Sequence, residues 1–191
     1  ILGPRTLCVH GVHLTDAEAA LLGETGSRLV HCPESNMKNA VGVAPLGRFR
    51  RAGVRLVLGT DGFTAAMPRE ALAAQLLQAH EAGDPREGYT VAPGLLFGAN
   101  PELARETFGL DLGWLRPGAP ADLVAWDYRP PTPLTKENLW GHLSFGLVTA
   151  RALDVFVAGR HVLASGRPVG VDEDRLAARC RAAAVQLWER F

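Results

Sequence analysis

At 191 residues, 47% of them apolar, the chain has material for one good-sized domain, or one and a fraction. Lys+Arg and Asp+Glu balance at 20 each, which argues against a nucleic-acid or membrane-surface role resting on bulk charge. The cysteines (Cys8, Cys32, Cys180) are odd in number and form no CxxC pair, as expected in a reducing cytoplasm, and no signal peptide or transmembrane run is visible.

In chain order, Thr6 to Gly11 reads as a strand that stops at His10, and the pattern begins so close to Ile1 that a longer parent is expected. Thr15-Asp-Ala-Glu18 is a capping box opening a helix toward Gly26. A second strand, Arg28 to Cys32, carries His31 at its end, and a long polar loop is expected from Pro33 to Val43. Pro45 starts a short helix that ends at Gly53. The third strand, Val54 to Gly59, is nearly all apolar, as a strand covered on both faces should be, and leads to Asp61. Pro68 to Gly83 reads as a helix with Leu72, Leu76, Leu77 and His80 on one stripe. Asp84 to Gly88 reads as a linker, followed by helical pieces at Ala92 to Ala99 and Pro101 to Phe108. A boundary is expected near Leu110, beyond which Gly/Pro turns alternate with short strands. These are Leu123 to Trp126 and a hairpin around Gly159-Arg160. Asp172 to Phe191 reads as an amphipathic helix with Leu176, Cys180, Ala183, Leu187 and Phe191 on its buried side.

The repeat of strand, loop and helix predicts parallel strands, so His10, His31 and Asp61 should line one face. Asp61, in Gly-Thr-Asp-Gly, reads equally as a metal-binding acid or as a turn residue; sharing a face with two histidines favours the first. His10 taken alone reads as a hydrogen-bonded core histidine, and His31 equally as a substrate contact or as a loop support. His13 and His80 suit loop and helix-surface positions, His142 a turn and His161 the hairpin. A catalytic zinc needs about three protein ligands and an open position. With one carboxylate and at most two histidines, and no HxH, HExxH or CxxC, the chain can supply part of such a site.

Several motifs in order resemble one family. His10-Gly-Val-His-Leu, Val30-His-Cys-Pro-Glu-Ser-Asn-Met-Lys38, Leu58-Gly-Thr-Asp-Gly62 and Pro117-Gly-Ala-Pro-Ala-Asp-Leu-Val124 resemble the amidohydrolase superfamily. The nearer resemblance is to its chlorohydrolase/cytosine-deaminase-like aminohydrolases, which include guanine deaminase and methylthioadenosine deaminase. Asn36-Met-Lys-Asn-Ala-Val-Gly42, Gly62-Phe-Thr-Ala-Ala-Met67, Pro130-Pro-Thr-Pro133, Gly141-His-Leu-Ser-Phe-Gly146 and Leu187-Trp-Glu-Arg-Phe191 are most similar to the SsnA-type aminohydrolases.

The resemblance implies an α/β fold: the C-terminal part of a metal-dependent-hydrolase TIM (β/α)8 barrel plus the C-terminal strands of a small β-sandwich. Residues 1–110 would hold barrel strands six to eight and their helices, and residues 111–191 the sandwich part and terminal helix. It further implies that Asp61 is catalytic and a metal ligand, that His10 is catalytic and polarises the substrate, and that His31 lies on the substrate side or supports the loop. The cofactor would be a divalent metal, zinc or iron, with zinc favoured. The HxH pair, the strand-five His and the general-acid Glu of the family fall outside these residues.

The implied activity is that of the parent: hydrolytic deamination of a purine- or pyrimidine-like heterocycle, with triazine dechlorination second. The implied partners are a small heterocyclic substrate, no nucleic acid, no membrane and, for the full-length protein, a second copy in a homodimer. The isolated chain would then be inactive. Two alternatives are a non-catalytic truncated paralogue acting as an assembly module, and a half-enzyme complemented in trans.

Overall fold

The computed structural model describes residues 1–191, which fall into two compact units. The first comprises Ile1–Ala119 and Pro130–Thr149; the second comprises Pro120–Arg129 and Ala150–Phe191. No single cut near Leu110 separates them, because residues 130–149 return to the first unit. The reason is a buried anchor. Helix α7 (Leu139–Phe145) places Trp140 in the core, where its indole N–H donates to Gln75 Oε1 at 2.8 Å. His142, expected in a turn, lies on this helix and is buried.

The first unit is built on three parallel strands in the order β1 (Leu7–Val9), β2 (Arg28–His31), β3 (Arg55–Leu58). The register pairs Val9 with Val30, and Val30 with Val57. Helix α1 (Asp16–Glu24) opens on the expected capping box: Thr15 Oγ1 accepts from the Glu18 N–H, and Glu18 Oε2 accepts from the Thr15 N–H. Leu22, Leu29, Leu46, Phe49, Leu56 and Ala74 form the centre of the core. Helix α3 (Leu46–Arg51) buries Leu46 and Phe49 in it.

Three helical expectations need correction. Residues 33–38 form helix α2 (Pro33–Lys38), not loop: Pro33 sits in the first turn and Glu34 precedes Lys38 by four, both helix-favouring. Helix α4 (Met67–Ala82) buries Glu70, Ala71, Ala74, Gln75 and Gln78 rather than the leucine stripe, and Leu76 is exposed. Small residues let the helix approach the core closely, so alanines take the inner face. The expected linker at Asp84 is instead the N-cap of helix α5 (Pro85–Gly94), its carboxylate accepting from the Arg86 N–H. Past Pro93 the chain continues through a π-helical turn (Leu95–Ala99) into α6 (Asn100–Phe108).

The second unit is an antiparallel sheet in the order β4 (Leu123–Trp126), β5 (Ala152–Val157), β6 (Arg160–Ala164), β7 (Arg167–Pro168). The β5–β6 turn places Ala158 and Gly159 both at positive φ, as a tight hairpin needs. Helix α8 (Glu173–Trp188) is capped by Asp172, but no residue on it is buried; Leu176 and Leu187 stay about half exposed. The buried side expected at Leu176, Cys180, Ala183, Leu187 and Phe191 is therefore not formed: all five side chains are exposed. No helix is long and apolar enough to cross a membrane.

Candidate active site

The parallel order puts the three strand ends side by side, with β2 in the middle. Across β2 the two outer strands lie about 10 Å apart. His10 and Asp61 nevertheless meet over the end of β2: His10 Nε2 lies 3.6 Å from Asp61 Oδ2. Both residues have left-handed backbones, with φ of 70° at His10 and 52° at Asp61. That conformation is uncommon outside glycine and takes each side chain out of the strand's alternation. Gly11, directly after His10, also has positive φ, and a Cβ there would lie 2.7 Å from a Leu29 methyl.

Helix α2 holds the pair. It leaves β2, the middle strand, so its first turn rises between the two outer strand ends. Ser35 Oγ donates to Asp61 Oδ2 at 2.6 Å, and Asn36 Oδ1 sits 2.8 Å from His10 Nδ1. Ser35 and Asn36 are both 1% exposed, so the two supports are fixed in the core. Asp61 Oδ1 also accepts from the Gly62 N–H at 2.7 Å. The Ser35 hydroxyl, the Gly62 N–H and the neighbouring His10 hold the Asp61 carboxyl below its ordinary pKa, so it is a carboxylate at neutral pH.

His31 is placed differently. It ends β2 on the same face but is fully buried, and neither ring nitrogen has a partner. Burial, and secondarily the proximity of His10, push its pKa down to about 4, so it is neutral. Cys32 beside it is buried, and burial raises its thiol pKa to about 11, which removes it as a nucleophile. Glu70 of α4 is buried behind α2: its Oε2 accepts from the Glu34 N–H at 3.4 Å, while Oε1 has no partner. Burial raises its pKa to about 7, against the lowering effect of the Glu34 N–H.

A cleft of about 440 Å³, of a size that takes small ligands, runs along the His10 side of the pair. Its walls are the segment from Cys8 to Leu14 together with Glu18, Asn36, Asn39 and Val41; Asp61 and His31 do not border it. The expected convergence therefore brings together His10 and Asp61, with His31 beneath the face. Ser35, in the segment expected as loop, is the site residue that the sequence pattern does not single out. The signal that could have found it is the strand-to-Pro-Glu helix start.

The donor set does not fit a complete metal centre. Nowhere in the chain do three His, Cys, Asp or Glu side chains cluster as a metal would need, and both Asp61 oxygens are already engaged by donors. These residues alone would not hold a catalytic zinc, which takes about three protein ligands.

An acid and a histidine thus meet at the C-terminal ends of parallel strands, the position at which parallel α/β units carry their active sites. The chain belongs to the amidohydrolase family, whose model matches residues 1–162. It is 33% identical over 189 residues to a 5-methylthioadenosine/S-adenosylhomocysteine deaminase from Pelotomaculum thermopropionicum, covering 96% of this chain and 43% of that protein. It is 37% identical to an 8-oxoguanine deaminase from Pseudomonas aeruginosa, covering 97% of this chain and 41% of that protein. Among solved structures, an adenosine deaminase from Xanthomonas campestris with bound zinc superposes with a TM-score of 0.80 at 31% identity, over 98% of this chain and 44% of that one. An atrazine chlorohydrolase from Arthrobacter aurescens shares the fold, with a TM-score of 0.75 at 23% identity over 94% of this chain and 41% of that one. The chain thus spans less than half the length of these proteins.

Proposed function

We propose that this chain is the C-terminal part of a zinc-dependent aminohydrolase that replaces the amino group of a purine-like heterocycle by oxygen, releasing ammonia. In this reading residues 1–110 supply strands six to eight of a (β/α)8 barrel, and the later strands belong to a small β-sandwich. In the whole protein Asp61 would be one of the metal ligands and would take the proton of the attacking water. His10 is the substrate-side group, and His31 supports the strand ends from below. The remaining ligands and the group that protonates the leaving ammonia lie outside these 191 residues. The observation that carries the reading is the His10–Asp61 pair, 3.6 Å apart at the ends of parallel strands. The named relatives support the purine class, because three of them act on methylthioadenosine, 8-oxoguanine or adenosine.

The test replaces the matching portion of the Xanthomonas campestris adenosine deaminase with this chain. The chimera should hold a zinc ion and release ammonia from adenosine or methylthioadenosine. Asp61→Asn in the chimera should abolish release while leaving the circular dichroism unchanged. A folded, zinc-loaded chimera that deaminates no purine would overturn the proposal. Tight stoichiometric zinc binding by the 191-residue chain alone would overturn its claim that the ligand set is incomplete.

A further inference from the structure

The contact between Asn36 and His10 has a chemical consequence. Asn36 Oδ1 is a carbonyl oxygen and only accepts, so at 2.8 Å it requires a hydrogen on His10 Nδ1. A neutral imidazole carries one N–H. Its Nε2 therefore bears the lone pair, and this is the atom turned toward Asp61 Oδ2 at 3.6 Å. Imidazole in water prefers the opposite tautomer, with hydrogen on Nε2, so the protein must enforce this one.

Asn36 is built to do so. It is 1% exposed, stands on a helix that starts directly from β2, and its neighbour Ser35 is fixed by the bond to Asp61. His10 has no second hydrogen bond to its ring. Its side chain is 42% exposed, and the left-handed backbone does not itself set the ring's rotation.

We propose that Asn36 is a positioning residue that fixes the His10 ring in its Nδ1–H tautomer, leaving Nε2, beside Asp61 Oδ2, as a hydrogen-bond acceptor. The proposal rests on the reading of His10 as the substrate-side group. It adds that the neutral ring takes a hydrogen from its ligand: an N–H or amino group of the heterocycle, or a water.

The test is the long-range ¹H–¹⁵N spectrum of the ¹⁵N-histidine-labelled chain, at a pH where the ring is neutral. In the unaltered chain His10 should show a protonated Nδ1 and a pyridine-like Nε2. Asn36→Ala should return the majority of His10 to the Nε2–H form. Asn36→Asp, which keeps an acceptor, should preserve the Nδ1–H form and move its resonance downfield. An Nε2–H ring in the unaltered chain, or a tautomer indifferent to Asn36→Ala, overturns the proposal. If Asn36→Ala does not fold, an unmoved Nδ1 resonance in Asn36→Asp overturns it equally. The readout needs neither zinc nor turnover. A tautomer that behaves as expected beside a chimera that deaminates nothing rejects the function reading alone.

Discussion

His31 and Glu70 are buried titratable groups whose effects on stability have opposite signs over the same pH range, so removing either should unmask the other. The His31 pKa falls from 6.5 to about 4 on folding. Between those values the unfolded chain binds a proton that the folded chain does not, so stability rises with pH. The full displacement corresponds to about 3 kcal/mol. For Glu70 the pKa rises from 4.5 to about 7, so the folded chain binds the extra proton and stability falls with rising pH across that window. Its displacement is of the same size as that of His31, about 3 kcal/mol, because burial is the main cause of both shifts. The carboxylates of Asp84 and Glu106, held at about 2, act below this window.

The two nearly cancel, so the stability of the unaltered chain should change by less than about 1 kcal/mol between pH 4.5 and 7. Glu70→Gln should leave a rise of about 2–3 kcal/mol, and His31→Gln a fall of about 2–3 kcal/mol. Urea unfolding followed by tryptophan fluorescence at closely spaced pH values measures the slopes. The pH-independent cost of each substitution drops out of the comparison. Identical slopes in all three proteins would refute the reasoning.

Gly88 lies where α5 crosses α4, and a Cβ there would sit 1.8 Å from the Gln75 carbonyl oxygen. Gly88→Ala should therefore cost at the upper end of about 1–3 kcal/mol, and a thermal melt with an unchanged midpoint would contradict this. Asn100 covers the outer edge of β3, accepting from the Leu58 N–H at 2.9 Å and donating to the Leu58 carbonyl at 3.0 Å. Asn100→Ala should cost about 1–3 kcal/mol and speed hydrogen exchange at Leu58 above that of its strand neighbours.

The three strands were legible because their signal is local: apolar runs such as Leu56-Val57-Leu58 end at polar residues and turns. Parallel pairing followed from the intervening helices. The capping box of α1 was legible for the same reason, since Thr15 and Glu18 interact with each other. What was missed depends on long-range packing. Only the core shows that α4 turns Ala71 and Ala74 inward and leaves Leu76 outside. Trp140 draws residues 130–149 back to the first unit through Gln75, a partner 65 positions away that no window of sequence contains. At the site, His10 and Asp61 were legible as strand-end residues. The bonds that Ser35 and Asn36 make to this pair were not legible, because they arise from where β2 delivers α2.

That delivery explains how a strained arrangement persists. Left-handed backbones at His10 and Asp61 cost about 1–2 kcal/mol each, and neither residue has the freedom of glycine. Without that geometry the two side chains would stay on strands separated by β2. The compensation must therefore act where the strain lies. Ser35 and Asn36 supply it from consecutive positions of one helix, each bonding to one member of the pair. A donor to a carboxylate is worth about 1.5–3 kcal/mol, so the Ser35–Asp61 bond alone can offset the Asp61 backbone. The orientation of the pair is thus set within these 191 residues, by the middle strand and the helix it launches. Ligands supplied from elsewhere would meet an acid and a histidine already held in place.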